Sequence, residues 1–263
     1  MNAVLDVRNL GVTYTGGHRA VHDVSLAIAP GEMVGLVGES GSGKSTLGLA
    51  VMRLLGTRAR IDPGARAALE GRELFDLDER DMCAVRGRRM SMVFQEPAAA
   101  LNPAMRVGDQ IAEAVRLHGE GSRRIARDRA IAMLERVGVP QPGRRASAYP
   151  HELSGGLRQR AMIAMALVLH PAVVIADEPT SALDVTVQAQ ILELLLQLQR
   201  ESGTAVLLIT HDLGIVAEAC TRALVMRAGS LVEAAPVDQL FRAPAHPYTA
   251  ELLRAVPRIR TSQ

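Results

Sequence analysis

Apolar positions along the chain fall into two rhythms. Short apolar runs at Val34–Val37, Met90–Phe94, Val173–Ala176, Ala205–Ile209 and Ala223–Met226 have the length and continuity of strands buried on both faces. Between several of them the spacing lengthens to that of a helix, over Ser45–Leu55, Val187–Gln199 and Leu213–Ala219. Strands alternating with helices predict a mainly parallel sheet covered on both faces. The N-terminal runs Leu5–Val7, Val12–Tyr14 and Val24–Ile28 instead alternate, with Gly and Asp between them, as half-buried antiparallel strands do. From about 97 to 169 the pattern is mostly helical, with an Arg-rich polar stretch at Ser122–Arg129 and a Pro/Gly break at Pro140–Gly143. The expected fold is one α/β domain. Its core takes roughly residues 1–96 and 170–240 and includes an antiparallel β-subdomain; a helical subdomain is inserted at 97–169, and a tail covers 241–263.

Composition narrows the class. A chain of 263 residues, 48 % hydrophobic and 22 % charged, is large enough to bury a core without disulfide or metal staples. Its longest unbroken apolar run, Ala161–Leu169, falls well short of the ~18–20 residues that span a bilayer. Met1–Val12 mixes Asp6, Arg8 and Asn9 into its apolar residues and lacks a signal-peptide core. An integral membrane protein, a secreted disulfide scaffold and a disordered chain are thus excluded. Cys83 and Cys220 form no metal-ligand spacing and read as reduced cytosolic thiols. A net charge of +2 is too balanced to point to nucleic acid. The basic residues are lopsided: of 30, the only lysine is Lys44. A position that escapes so strong a bias toward arginine needs a slim, flexible ammonium that a planar guanidinium cannot replace.

That lysine lies in Gly38-Glu39-Ser40-Gly41-Ser42-Gly43-Lys44-Ser45, followed by Thr46, which fits G-x-x-x-x-G-K-[ST] between an expected strand and an expected helix. Phosphate needs converging N–H donors, and glycines let the backbone curl tightly enough to supply them. The helix opening near Lys44 adds its positive dipole end. Lys44 is then placed for β- and γ-phosphates, and the Ser45 hydroxyl for Mg²⁺. Downstream, the strand Val173–Ala176 ends in Asp177-Glu178. Ligands of open parallel sheets bind at the carboxyl ends of strands, which suits Asp177 to Mg²⁺ and Glu178 to taking a proton from an attacking water. By itself the pair is equally a solvated turn before Pro179; the phosphate-type loop upstream favours the chemical reading.

Taken in order, the loop, Gln95 after a strand, Leu153-Ser154-Gly155-Gly156-Leu157-Arg158-Gln159, Asp177-Glu178, Ser181-Ala182-Leu183-Asp184 and His211 resemble the motifs of ATP-binding cassette ATPases over nearly the whole chain. The resemblance implies a P-loop NTPase core and a role for each match. Tyr14 resembles the aromatic that stacks on adenine, and Gly38, Ser40, Gly41, Ser42, Gly43, Lys44, Ser45 and Thr46 the phosphate cradle. Gln95 resembles the residue that senses the γ-phosphate and Mg²⁺ and links the site to a membrane partner. Ser154, Gly155, Gly156 and Gln159 resemble the signature that acts on ATP held by an opposing subunit, and Asp184 the residue that communicates across that interface. His211 resembles the switch that contacts the γ-phosphate and orients the attacking water. Taken singly, most have plainer readings: Tyr14 as a half-buried strand residue, Ser154 and His211-Asp212 as helix caps.

Longer strings narrow the resemblance further. Phe94-Gln95-Glu96-Pro97 with Leu101-Asn102-Pro103, Tyr149-Pro150-His151-Glu152, Asp184-Val185-Thr186-Val187-Gln188-Ala189-Gln190, His246-Pro247-Tyr248-Thr249 and Ala255-Val256-Pro257 resemble the ATPase subunits of bacterial oligopeptide, dipeptide and nickel importers. Leu157 stands where Met is more usual, and Ser181 where Thr is common. The resemblance implies ATP and Mg²⁺ as ligands and the cytoplasmic face of a bacterial inner membrane as location. The partners implied are a second ATPase in a heterodimer, two transmembrane permeases and an extracytoplasmic solute-binding protein. Peptide is the expected solute, with nickel or a metal chelate as the alternative. A soluble cassette acting away from membranes is a further alternative; such proteins usually carry two cassettes or a coiled-coil insertion. Some members of the branch carry a cysteine cluster in a longer tail; this chain shows none, and no iron–sulfur cluster is expected.

Overall fold

A computed structural model describes residues 3–181 and 184–255. Ala182 and Leu183 of the Ser181–Asp184 motif, and Val256 and Pro257 near the end, lie outside the described residues. The chain divides into two compact units, residues 3–75 with 207–255 and residues 76–206.

The first unit opens with β1 (Leu5–Tyr14), β2 (Arg19–Ile28), β3 (Met33–Val37), α1 (Lys44–Val51), β4 (Ala59–Ile61), β5 (Arg66–Leu69) and β6 (Arg72–Glu73). An antiparallel sheet is built around β1, with β2 on one side, β5 and β6 on the other, and β4 against its end. The sequence pattern predicts Leu5–Val7 and Val12–Tyr14 as separate strands; the structure joins them in one, β1. Asn9 takes φ +50°, its amide donates to the Ser25 hydroxyl at 2.9 Å, and the register with β2 shifts between Val7 and Leu10. An asparagine tolerates the left-handed region at little cost, so the strand bulges instead of ending. Leu5, Val7, Leu10 and Val12 are all fully buried.

The second unit contains α2 (Glu79–Val85), β7 (Met90–Val93), α3 (Pro97–Ala100), α4 (Val107–Leu117), α5 (Arg123–Arg136), α6 (Pro142–Ala146), a 3₁₀ turn at Pro150–Glu152, α7 (Gly155–Leu167), β8 (Val173–Asp177) and α8 (Val185–Ser202). β7 and β8 pair in parallel, Met90 opposite Val173 and Val93 opposite Ala176. The Arg-rich stretch forms the first turns of α5. Ser122 caps it by accepting the Ile125 amide at 3.4 Å, while Ala126, Ala130, Met133 and Leu134 bury one face. The guanidinium groups thus decorate the exposed side of a helix, as the helical pattern of this segment predicts.

β9 (Ala205–Thr210) carries the chain back across the boundary into α9 (Leu213–Ala219), β10 (Arg222–Arg227), β11 (Ser230–Pro236), α10 (Val237–Arg242) and α11 (Pro247–Ala255). β10 runs parallel to β3, Leu224 opposite Leu36 and Val225 opposite Val37; β11 folds back antiparallel on β10. Every residue of β3, β8 and β9 is buried, which explains their unbroken apolar character. The fold is α/β, with helices beside parallel strands and a separate antiparallel sheet. Among the described residues no helix is long and apolar enough to cross a membrane.

Candidate functional site

Each unit presents one set of the residues singled out by sequence. In the first, residues 38–43 turn the chain from β3 into α1. Gly38, Gly41 and Gly43 take φ of +154°, +80° and +98°. A Cβ on Gly38 would lie 2.1 Å from the Met226 carbonyl oxygen, and one on Gly43 2.4 Å from that of Ala20. Backbone conformation and space therefore both demand glycine. Lys44 is only 5 % exposed. Its ammonium donates to the Gly38 and Glu39 carbonyl oxygens, each at 2.8 Å, and to the Ser42 hydroxyl at 3.3 Å. Three donors meet three acceptors on the loop itself, so the cation is held at the loop's centre. The Ser42 carbonyl accepts from the Gly229 amide at 3.0 Å, and the Glu39 amide donates to the Tyr248 hydroxyl at 3.1 Å.

Ser45 and Thr46 follow on α1 and are half-buried. The Tyr14 and Thr46 hydroxyls stand 3.5 Å apart. The half-buried Tyr14 ring lines a cleft of about 390 Å³ with Thr13, Thr15–Gly17 and Thr57–Arg60. His211 is exposed just beyond β9, and Asp212 caps α9 by accepting the Gly214 and Ile215 amides at 2.8 and 3.3 Å.

In the second unit β8 delivers Asp177, 5 % exposed, and then Glu178. Glu178 has φ +43°, which costs a non-glycine residue on the order of 1 kcal/mol. Its carbonyl accepts from the Ser181 amide at 3.1 Å and the Ser181 hydroxyl at 3.0 Å, which holds the strained turn in place. The Gln95 side-chain amide donates to the Glu178 carboxylate at 3.0 Å. Although 83 positions separate them, the parallel pairing of β7 with β8 brings the two strand ends together. The amide aims the carboxylate, which as a carboxylate can only accept protons.

Ser154 caps α7, its hydroxyl accepting the Leu157 amide at 3.4 Å. Ser154 and Gly155 are exposed, and Gly156 lies close against Val187 of α8. Gln159 differs: it is 1 % exposed, and its side-chain nitrogen is buried with no hydrogen-bond partner among the described residues. It lines a pocket of about 350 Å³ together with Gln95, Pro97, Gly155, Arg158 and Ser181. Asp184 is exposed at the start of α8 and accepts the Val187 amide at 3.0 Å; beside it Val185 is 81 % exposed, unusual for a valine.

Two contributors went unassigned in the sequence. Ser181, read only as a variant of a family position, braces Glu178. Tyr248, read only as part of a branch marker, reaches the phosphate-type loop from 209 positions away. The marker string was the available signal, but no local pattern pairs a distant tyrosine with Glu39.

The comparisons with known proteins agree with one another. The sequence profile described as ABC transporter matches residues 21–181, and that of the oligopeptide/dipeptide transporter C-terminal region matches 232–263. The oligopeptide transport ATP-binding protein OppD of Salmonella typhimurium is 49 % identical over 261 residues, covering 98 % of this chain and 77 % of that protein. OppD of Bacillus subtilis is 45 % identical over 262 residues, covering 98 % and 73 %. Among solved structures, a dimeric post-hydrolysis state of the ATP-binding cassette MJ0796 bound to ADP and Pi superposes with a TM-score of 0.79 at 28 % identity, over 89 % of this chain and 98 % of that one. With a matching profile over most of the chain, relatives near half identity and a glycine-framed loop around its single lysine, the chain belongs to the ABC transporter family, as one of its ATP-binding cassettes.

Proposed function

We propose that this cassette hydrolyses ATP to power a bacterial importer of peptides, at the cytoplasmic face of the inner membrane. The observation that carries the proposal is the loop 38–45, with Lys44 buried at its centre by its own backbone carbonyls. An ammonium in this setting can exchange carbonyl partners for phosphate oxygens at little cost in reorganisation. Gly38, Ser40, Gly41, Ser42, Gly43, Ser45 and Thr46 complete the cradle, and Tyr14, on its cleft, takes the adenine. The names of the relatives support peptide as the solute.

The chemistry follows from the residues. Glu178, aimed by Gln95, accepts a proton from water as that water attacks the γ-phosphate in line, and His211 orients the attack. Ser45, Asp177 and Gln95 offer the hard oxygen donors that Mg²⁺ prefers, and bound Mg²⁺ would neutralise phosphate charge. Ser154, Gly155 and Gly156 act on the nucleotide of a second cassette arranged head to tail, with Gln159, expected beside them but buried, supporting the segment from behind and Asp184 as the link between subunits. In this reading the helical segment 97–169 is the subdomain that, with Gln95, faces two permease subunits. A related but distinct chain is the second cassette, and an extracytoplasmic binding protein delivers the solute.

Reconstitution with the permeases and the binding protein tests this. Peptide should stimulate ATP hydrolysis, and Glu178→Gln should retain ATP binding while turnover falls about 10²–10⁴-fold. Normal turnover in Glu178→Gln would remove Glu178 as the base. Titrating the binding protein with peptides and with Ni²⁺ separates the solutes: binding of Ni²⁺ but not peptide would overturn the peptide assignment.

A further inference from the structure

The string His246-Pro247-Tyr248-Thr249 marks the branch, yet the chemistry above does not use it. Its placement gives it work. The peptide joining Gly38 to Glu39 is gripped at both ends: its N–H donates to the Tyr248 hydroxyl at 3.1 Å, and its carbonyl accepts from Lys44 Nζ at 2.8 Å. The N–H and C=O of a trans peptide point in opposite directions across one rigid plane. Phenol and ammonium therefore hold opposite edges of the same plate, and rotating it breaks both bonds. Gly38 is the residue about which that plate would most easily rotate, because glycine meets little steric resistance.

Tyr248 is itself immobilised. It is 2 % exposed, and the Arg227 guanidinium lies over its ring, 4.6 Å from the centroid, an attractive placement for a cation. Its amide donates to His246 Nδ1 at 3.1 Å. The amides of Ala245 and His246 donate to the Glu233 carboxylate at 2.8 and 2.9 Å, tying the start of α11 to β11. A chain of contacts thus runs from Glu233 through the entry to α11 and Tyr248 to the carbonyl that faces Lys44.

We propose that Tyr248 is a positioning residue for nucleotide binding: it locks the Gly38–Glu39 peptide and so presets Lys44 for the polyphosphate. The inference rests on the reading that Lys44 receives the phosphates, and the test separates the two. MgATP affinity is measured on the full-length chain by calorimetry, and kcat and KM on the assembled transporter, for the wild type, Tyr248→Phe, Arg227→Met and Lys44→Ala. Tyr248→Phe deletes one hydroxyl and should weaken ATP binding and raise KM about three- to tenfold, the span of one net hydrogen bond, with kcat within about twofold of the wild type. Arg227→Met keeps the hydroxyl but frees the ring, and should raise KM about two- to threefold; it carries the test if Tyr248→Phe does not fold. An unchanged KM in both variants, or a loss confined to kcat and thermal stability, overturns the positioning role. If Lys44→Ala leaves ATP binding intact, the reading of the loop as the phosphate site fails; if Lys44→Ala loses binding while Tyr248→Phe and Arg227→Met both keep the wild-type KM, only the role of Tyr248 fails.

Discussion

The loop 38–43 and the segment 153–156 both lead glycine-rich sequence into a helix, but the chain needs those glycines for different reasons. In the loop, Gly38 and Gly43 have positive φ, and any Cβ would run into a backbone carbonyl. In the signature segment, Gly155 and Gly156 are ordinary residues of α7 without positive φ. Gly155 is exposed, and a Cβ on Gly156 would only crowd the Val187 methyl at 3.0 Å. The folded chain dictates the first pair. Gly155 needs no left-handed conformation. Buried Lys44 and exposed Ser154 repeat the contrast: the loop's cation is held within the chain, whereas the serine at the helix start is open at the surface.

The largest expected effect breaks the first region. Gly38→Ala forces a methyl to within 2.1 Å of the Met226 carbonyl, so the loop cannot close, and ATP binding by the full-length chain should fall at least ~100-fold by calorimetry. Gly155→Ala sharpens the comparison. It should leave ATP binding by this chain within about twofold, because helices accept alanine readily, while hydrolysis by the assembled pair drops about tenfold or more. Equal losses of binding in the two variants would erase the distinction drawn here.

A smaller effect concerns α8, whose N-cap Asp184 accepts the Val187 amide. Asp184→Ala should destabilise the chain by about 1 kcal/mol in denaturant unfolding, and Asp184→Asn, which keeps the capping oxygen, should recover most of it. If Asp184 also serves the partner, Asp184→Asn will restore stability without restoring turnover.

Acid should reach the first region through Glu233. Burial works to raise its carboxyl, but hydrogen bonds, among them those from the Ala245 and His246 amides, outweigh this and hold it below the ordinary 4.5. A carboxyl lowered on folding contributes stability that is present above 4.5 and fades as pH falls through the folded value. Amide exchange of α11 should therefore report loosening only below about pH 4.5, and Glu233→Gln should abolish that dependence. The smallest effect is chemical. Burial pushes the Cys220 thiol up to about 12, whereas Cys83 is exposed; thiol reagents at neutral pH should label Cys83 and spare Cys220. A Cβ on Gly35 of β3 would come within 3.3 Å of Cys220 Sγ, so labelling of Cys220 would report that the wall behind the loop had opened.

Much of this was legible along the chain. Continuous apolar runs gave the strands that end in the loop and in Asp177-Glu178, because burial on both faces leaves an unbroken signature. The elements that escaped were short or edge-lying: β4, β5, β6 and β11, together with α2, α10 and α11. Strands such as Arg66–Leu69 expose their arginine and make sense only beside Leu5–Arg8. The helix expected over Ser45–Leu55 stops at Val51, since Arg53 turns to φ +52°.

Residue type and spacing by themselves determined which groups can do chemistry here: a lone lysine among glycines, a carboxylate pair at a strand end, a serine–glycine helix start. The tertiary structure alone decided how those groups are held. The bond from Gln95 to Glu178 exists because two parallel strands end side by side, and the bond from Glu39 to Tyr248 because α11 packs its phenol against the loop. Donors and acceptors meet across 83 and 209 positions. No local rule of sequence reaches that far, since such contacts form only when burial of apolar surface has already folded the chain around them.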